Sequence, residues 1–146
     1  FNTFRRAYII VRNRRMLVLL LGDLVALALF AILGRNTHDE AIGFGAVRAV
    51  AGTAAPFLVG WLVGSLLLGA LRAVTTATLL MMLRVVLASW IAGYPLAMLV
   101  RGLALGRTSP LSFYIVAFIV PLLLLLAWRL SFAVIEAKRA RPRGHE

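Results

Sequence analysis

Four stretches of this chain are apolar over lengths that suit a bilayer, and short polar or glycine-containing breaks separate them. The first, Met16 to Gly34, runs MLVLLLGDLVALALFAILG and carries a single acid, Asp23, near its middle. Its nineteen residues, at about 1.5 Å each, cover roughly 28 Å, close to the roughly 30 Å of hydrocarbon that a membrane helix must cross. The same pattern predicts further helices over about 46–71, 77–100 and 111–132. The breaks are RNTHDEAIGFG, a turn around Arg72 to Thr76, and RGLALGRTSP with Gly102, Gly106 and Pro110. The expected fold is therefore all-α, a polytopic four-transmembrane-helix bundle filling residues 16–132. A basic interfacial segment (1–15) precedes it and a basic cytoplasmic tail (133–146) follows it.

Within the second span the small residues recur at helical spacing: Gly45, Ala49, Gly52, Pro56, Gly60 and Gly64. Membrane helices associate through close packing, and such a stripe lets another backbone approach. It marks Gly45, Gly52, Pro56, Gly60 and Gly64 as helix-packing positions and the second helix as the centre of the bundle. Pro56 removes a backbone donor and is expected to kink that helix.

Composition strengthens the membrane reading. The chain has 146 residues, is 62% hydrophobic and has a mean hydropathy of +0.96, well above a soluble domain. Its formal charge of +11 could suggest nucleic acid. However, the basic residues crowd the chain ends and the edges of the apolar runs and form no basic face. Arg5, Arg6, Arg12, Arg14, Arg15, Arg72, Lys138, Arg139, Arg141 and Arg143 fall on one side of four spans. Arg35, Arg48, Arg101 and Arg107 fall on the other, with Asp39 and Glu40. The positive-inside rule then places both termini in the cytoplasm. The first span is too long for a signal-peptide core and lacks a clear small-residue cleavage site, so it is read as a retained helix. Opening on Phe1, the chain is expected to have lost or processed its start. Cysteine is absent, which removes disulfides, thiol nucleophiles and Cys-bound metals.

An acid in mid-span is costly against lipid and should find a partner among the other helices. By depth, Arg84 on the third span is the expected partner of Asp23. The pair reads either as a proton or cation site or, preferably, as an internal salt bridge fixing helix register. Phe57, Trp61, Trp90 and Tyr94 could line a cavity for an apolar ligand such as a lipid, quinone or carotenoid, although simple interhelical packing is the commoner role of such residues. Arg35, His38, Asp39, Glu40 and Arg101 form an expected non-cytoplasmic polar cluster. The H-D-E triplet matches no metal-ligand spacing and reads as a solvated turn. His38 and His145 lie outside the spans, which excludes haem held between intramembrane histidines and disfavours His-ligated chlorophyll. No phosphate-binding loop, nucleophile elbow or H-E-x-x-H occurs, so no catalytic residue and no metal site is assigned.

The sequences GDLVALALFAILGRNTHDE, TAAPFLVGW, AGYPLAMLVR and SFYIVAFIVPLLLLLAWR resemble a family of small four-span prokaryotic membrane proteins catalogued only as domain of unknown function 3054. The resemblance singles out Asp23, Gly34, Arg35, His38, Pro56, Phe57, Gly60, Trp61, Arg101, Phe113, Trp128 and Arg129. It implies membrane class and fold and lends no activity. The expected function is that of a non-catalytic accessory or assembly subunit, associated with other membrane subunits or as a homodimer. The alternative is a small proton- or cation-coupled transporter or channel with Asp23 as its coupling carboxylate, by architectural analogy with small multidrug transporters.

Overall fold

A computed structural model describes the backbone of residues 2–35 and 43–140, with side chains from Arg12 onward. Helix α1 is Asn2–Arg35, α2 is Phe44–Leu68, α3 is Leu79–Leu105 and α4 is Leu111–Ala140. A short 3₁₀ turn, Val74–Thr76, lies between α2 and α3. All four helices are long and apolar enough to cross a membrane. The protein is an all-α four-helix bundle of the multi-pass membrane class.

Two boundaries extend far beyond the apolar runs, and α3 also continues past Val100 through Gly102, expected as a breaker, to Leu105. The basic segment expected to lie at the interface is continuous with the first span, and α4 runs on past Phe132 to Ala140. No proline or glycine interrupts either extension. The α2 and α3 ends are set by backbone conformation. Gly69 and Gly106 take left-handed φ values of 78° and 63°, which an L side chain would resist. At the α2 end, Ala70 N–H returns to the Ser65 carbonyl at 2.9 Å. Thr78 caps α3 by accepting Met81 N–H at 3.2 Å. Pro56, Pro95 and Pro121 all lie inside helices that continue through them.

The helices form a ring in which α1 packs on α2 and α4, and α3 packs on the same two neighbours, leaving α1 and α3 diagonal. The interior holds Leu19, Leu27 and Phe30 of α1, Phe57 and Trp61 of α2, Met82, Val86 and Trp90 of α3, and Leu125 of α4. Outside, Leu21, Val25, Leu29, Ile91, Leu99, Ile119 and Leu123 are exposed. This apolar exterior is the reverse of a soluble bundle and suits lipid.

The most extensive contact, α2 on α3, depends on missing side chains. A Cβ on Gly60 would lie 2.5 Å from the Gly93 carbonyl oxygen and 2.7 Å from Ala97 Cβ, and one on Gly64 would collide with the Ser89 carbonyl. The stripe is thus G-x-x-x-G on α2 against Ser89, Gly93 and Ala97 on α3, a small-residue crossing of the membrane type. Gly45 and Gly52, expected in the same stripe, do not pack: both are exposed, and a Cβ added at either would meet nothing within 4 Å. At 3.6 residues per turn they point roughly 120–140° away from Phe57, whereas Gly64 lies within roughly 20° of it.

Gly93→Ala should therefore destabilise the bundle by about 1–3 kcal/mol, the usual range for overpacking. Gly52→Ala should be neutral or slightly stabilising, since alanine favours helix. Thermal unfolding in detergent separates the two, and equal midpoints would refute the crossing.

Candidate functional site

Asp23 is buried at 0% exposure, and its partner is Arg129 of α4, not Arg84. Arg129 Nε donates to Asp23 Oδ1 at 2.8 Å, and its Nη2 donates to Oδ2 at 2.5 Å, the two-pronged geometry that favours arginine for carboxylates. Trp61 Nε1 donates to the same Oδ2 at 2.9 Å. The remaining guanidinium nitrogen, Nη1, donates at 2.7 Å to the carbonyl of Ala70, just after the left-handed Gly69 that ends α2. The Arg129 guanidinium also lies 5.4 Å from the centre of the Trp61 ring. Three helices thus meet on one carboxylate and one guanidinium, and every bond is charge-assisted.

Arg84 cannot join them. It sits in the second turn of α3, the helix diagonal to α1, and its side chain is exposed while Met82, Val85, Val86 and Ser89 take the inward positions. From there a long side chain can reach the membrane surface. Arg129 reads in sequence as an interfacial anchor, because it follows PLLLLLAW and hydropathy ends the span at Phe132. The helix continues for eleven residues beyond it to Ala140, which places Arg129 well inside the bundle.

A second ion pair repeats the α1–α4 connection about two turns away. Arg15 donates from Nε and Nη2 to the two carboxylate oxygens of Glu136, both at 2.8 Å, and from Nη1 to Thr76 Oγ1 at 2.8 Å. Its guanidinium lies 5.5 Å from the Phe132 ring centre. Arg15 therefore ties the start of the first span, the turn between α2 and α3 and the end of α4 to one end of the bundle. Neither Arg15 nor Glu136 stands out in the sequence, because both sit among other charges at the edges of apolar runs. Next to the Asp23–Arg129 pair in sequence on both helices, the Trp128 indole fills the space that a side chain on Gly22 would need.

The four aromatic residues expected around a cavity fill the interior with one another. Phe57, Trp61 and Trp90 are fully buried. Ring centres are 6.5 Å apart for Phe57 and Trp90, 6.4 Å for Trp61 and Trp90, and 5.8 Å for Trp90 and Tyr94. Trp90 Nε1 donates to the Phe118 carbonyl at 2.9 Å and the Tyr94 hydroxyl to the Tyr114 carbonyl at 2.6 Å, so their polar tips join α3 to α4. Packing accounts for them better than ligand binding. Pro56 is buried in the same stretch of α2.

At the opposite end, Arg35 and Arg101 do come together, lining one cavity of about 650 Å³ with Arg107, Thr53, Ser112 and Phe113. Arg107 is an addition to the cluster that the sequence suggests. His38, Asp39 and Glu40 lie outside the described residues, as does His145. Among the described residues no three His, Asp or Glu side chains gather as a metal would require.

Residues 20–132 match the family described as a protein of unknown function, DUF3054. The chain belongs to this family. No curated protein and no solved structure matches it. Asp23, Trp61, Ala70 and Arg129 all fall within the DUF3054 region, while Arg15 and Glu136 lie just outside it. The central network is thus part of the family's shared region, and the second ion pair is placed on its margins.

Breaking one side of a buried pair typically costs about 3–5 kcal/mol, because the other charge is left without compensation. Asp23→Asn and Arg129→Gln should each lower the unfolding midpoint in detergent. The double variant should lose less than the two single losses combined, by a coupling of roughly 0.5–3 kcal/mol. Arg84→Gln should stay within about 0.5 kcal/mol of the parent, as exposed substitutions do. Additive losses for Asp23 and Arg129 would show that the pair does not form.

Proposed function

We propose that this protein is non-catalytic and works by association in the cell membrane of a prokaryote, as a small accessory or assembly subunit of a larger membrane complex. The observation that carries this reading is the division between a closed interior and an apolar exterior on α4. That 30-residue helix buries only a narrow stripe, Ala117, Pro121, Leu125, Arg129 and Ala133. Its outward positions include Ile115, Val116, Ile119, Leu123, Val134 and Ile135, a long surface suited to lipid or to a helix of another subunit. Mild-detergent purification from native membranes should yield a particle with co-purifying subunits. Polar substitutions at Ile115 and Ile119 should release them without lowering thermal stability. A monomer or homodimer alone would count against the reading.

The transporter reading requires Asp23 to exchange its partners during a cycle. Both of its oxygens are engaged by Arg129 and Trp61, which supports a register-fixing role over a coupling one. If instead wild-type liposomes carry a cation or proton flux and Asp23→Asn abolishes it, the transporter reading replaces the accessory one.

We place both termini in the cytoplasm. Arg15, Thr76 and Glu136 share one end of the bundle, and that end carries Arg12, Arg14, Arg72, Lys138 and Arg139, an excess that favours retention on the cytoplasmic side. A reporter active only in the cytoplasm should work when fused after Glu146 and fail when inserted near Leu105. The opposite result would invert the topology.

A further inference from the structure

We propose that the arginine-lined end of the bundle binds one anionic phospholipid, with its phosphate between Arg101 and Arg107 and one acyl chain in the groove between α1 and α2. The headgroup cavity, about 650 Å³, lies where the end of α1, the first half of α2, the end of α3 and the start of α4 converge. Among the described residues its lining sets Arg101 and Arg107 together with no acid beside them. Guanidinium groups sharing a low-dielectric space repel one another unless an anion lies between them. The Arg101 guanidinium lies 4.2 Å from the centre of the Phe113 ring, which fixes its plane. Its Nε is shielded from solvent and makes no hydrogen bond. Arg107 is exposed and can swing toward a bound group. Ser112 and Thr53 add hydroxyl donors on the same walls.

A second cavity of about 570 Å³ runs down the α1–α2 seam, lined by Leu24, Ala28, Ile32, Val47, Val50 and Ala54 among others. Its lining is apolar but for Arg35, which also lines the headgroup cavity, so the basic and apolar spaces meet at one side chain. From Leu24 to Ile32 the helix rises about 12 Å, close to the roughly 15 Å depth of one leaflet's hydrocarbon. Alanines at positions 28, 51 and 54 leave the width. A charged head above a shallow apolar trench, at the membrane-surface end of a helix bundle, is the shape and polarity of a phospholipid, and arginine forks suit phosphate oxygens on either side of a membrane. A free phosphate would use the arginines and leave the trench unused.

The test is native mass spectrometry of delipidated protein in mild detergent, titrated separately with phosphatidylglycerol, phosphatidylcholine and inorganic phosphate. One phosphatidylglycerol should bind in preference to phosphatidylcholine. Arg101→Gln with Arg107→Gln should weaken it on the order of thirtyfold, following about 1 kcal/mol for each partly exposed ion pair lost. Ala51→Phe, at an exposed position of the trench wall, should weaken the lipid while leaving the arginines in place. Should the double variant fail to fold, Arg107→Gln alone keeps the test, since its side chain is exposed, and should weaken binding about fivefold by the same figure. Equal binding of the two lipids, unchanged binding by the arginine variants, or displacement of the lipid by millimolar inorganic phosphate would each overturn the proposal. Phosphate binding that persists in Ala51→Phe while lipid binding never appears would assign the cavity to a free anion.

Discussion

An ionised carboxylate in the apolar interior of a membrane bundle has few solutions, and Asp23 adopts the tightest of them. Lipid cannot solvate it, so its full set of partners must come from neighbouring helices. Arg129 supplies two bonds and Trp61 a third, while the last nitrogen of Arg129 is taken up by the Ala70 carbonyl. Each of these donors depends on a separate feature of the chain. Arg129 requires α4 to lie beside α1, Trp61 requires α2 to present one face inward, and the Ala70 carbonyl requires the left-handed turn at Gly69. A failure in any of them leaves a buried charge under-bonded, so the network selects one arrangement of helices from the several that four apolar cylinders could adopt. Replacing such a network with apolar residues need not reduce stability; what would be lost is the choice of arrangement.

The two ion pairs sharpen that choice because their polarity alternates. On α1 the order is Arg15 then Asp23, and on antiparallel α4 the facing order is Glu136 then Arg129. Sliding one helix along the other by two turns would set Arg15 against Arg129 or Asp23 against Glu136. An apolar seam rich in leucine tolerates such slips, since one leucine packs much like the next. Alternating charge removes that tolerance, as polar residues at single core positions do in coiled coils. The α2–α3 contact is set differently, by Gly60 and Gly93 fitting backbone to backbone. That close approach holds Trp61, the neighbour of Gly60, against Trp90 and within reach of Asp23.

Much of this is legible in the sequence, and the failures share a cause. The four spans, the need of Asp23 for a cation, and the packing role of Gly60 and Gly64 follow from hydropathy, desolvation and helical spacing. The partner does not follow, because depth along a helix says nothing about which helices are adjacent. Depth favours Arg84 over Arg129 only if α4 ends at Phe132, and neither can be chosen without knowing that α3 stands diagonal to α1. The residues that carry the family resemblance include Asp23, Trp61 and Arg129 together and omit Arg84, which makes them a better guide to the pair than depth. Gly45 and Gly52 fail for a related reason: steps of three and four look like one stripe in sequence, yet their angular drift carries the early members off the packed face.

The chain also shows one residue type in two electrostatic situations that composition cannot separate. Arg129 has its charge met bond for bond inside the bundle and holds helices together. Arg101 rests on an aromatic face with a shielded, unbonded Nε, beside Arg107 and above an apolar trench. A guanidinium is weakly hydrated compared with an ammonium and so tolerates partial burial, but two of them side by side repel one another unless an anion lies between them. The closed network therefore accounts for this chain's helix arrangement, and the arginine-lined end is the part of the bundle suited to an anionic headgroup.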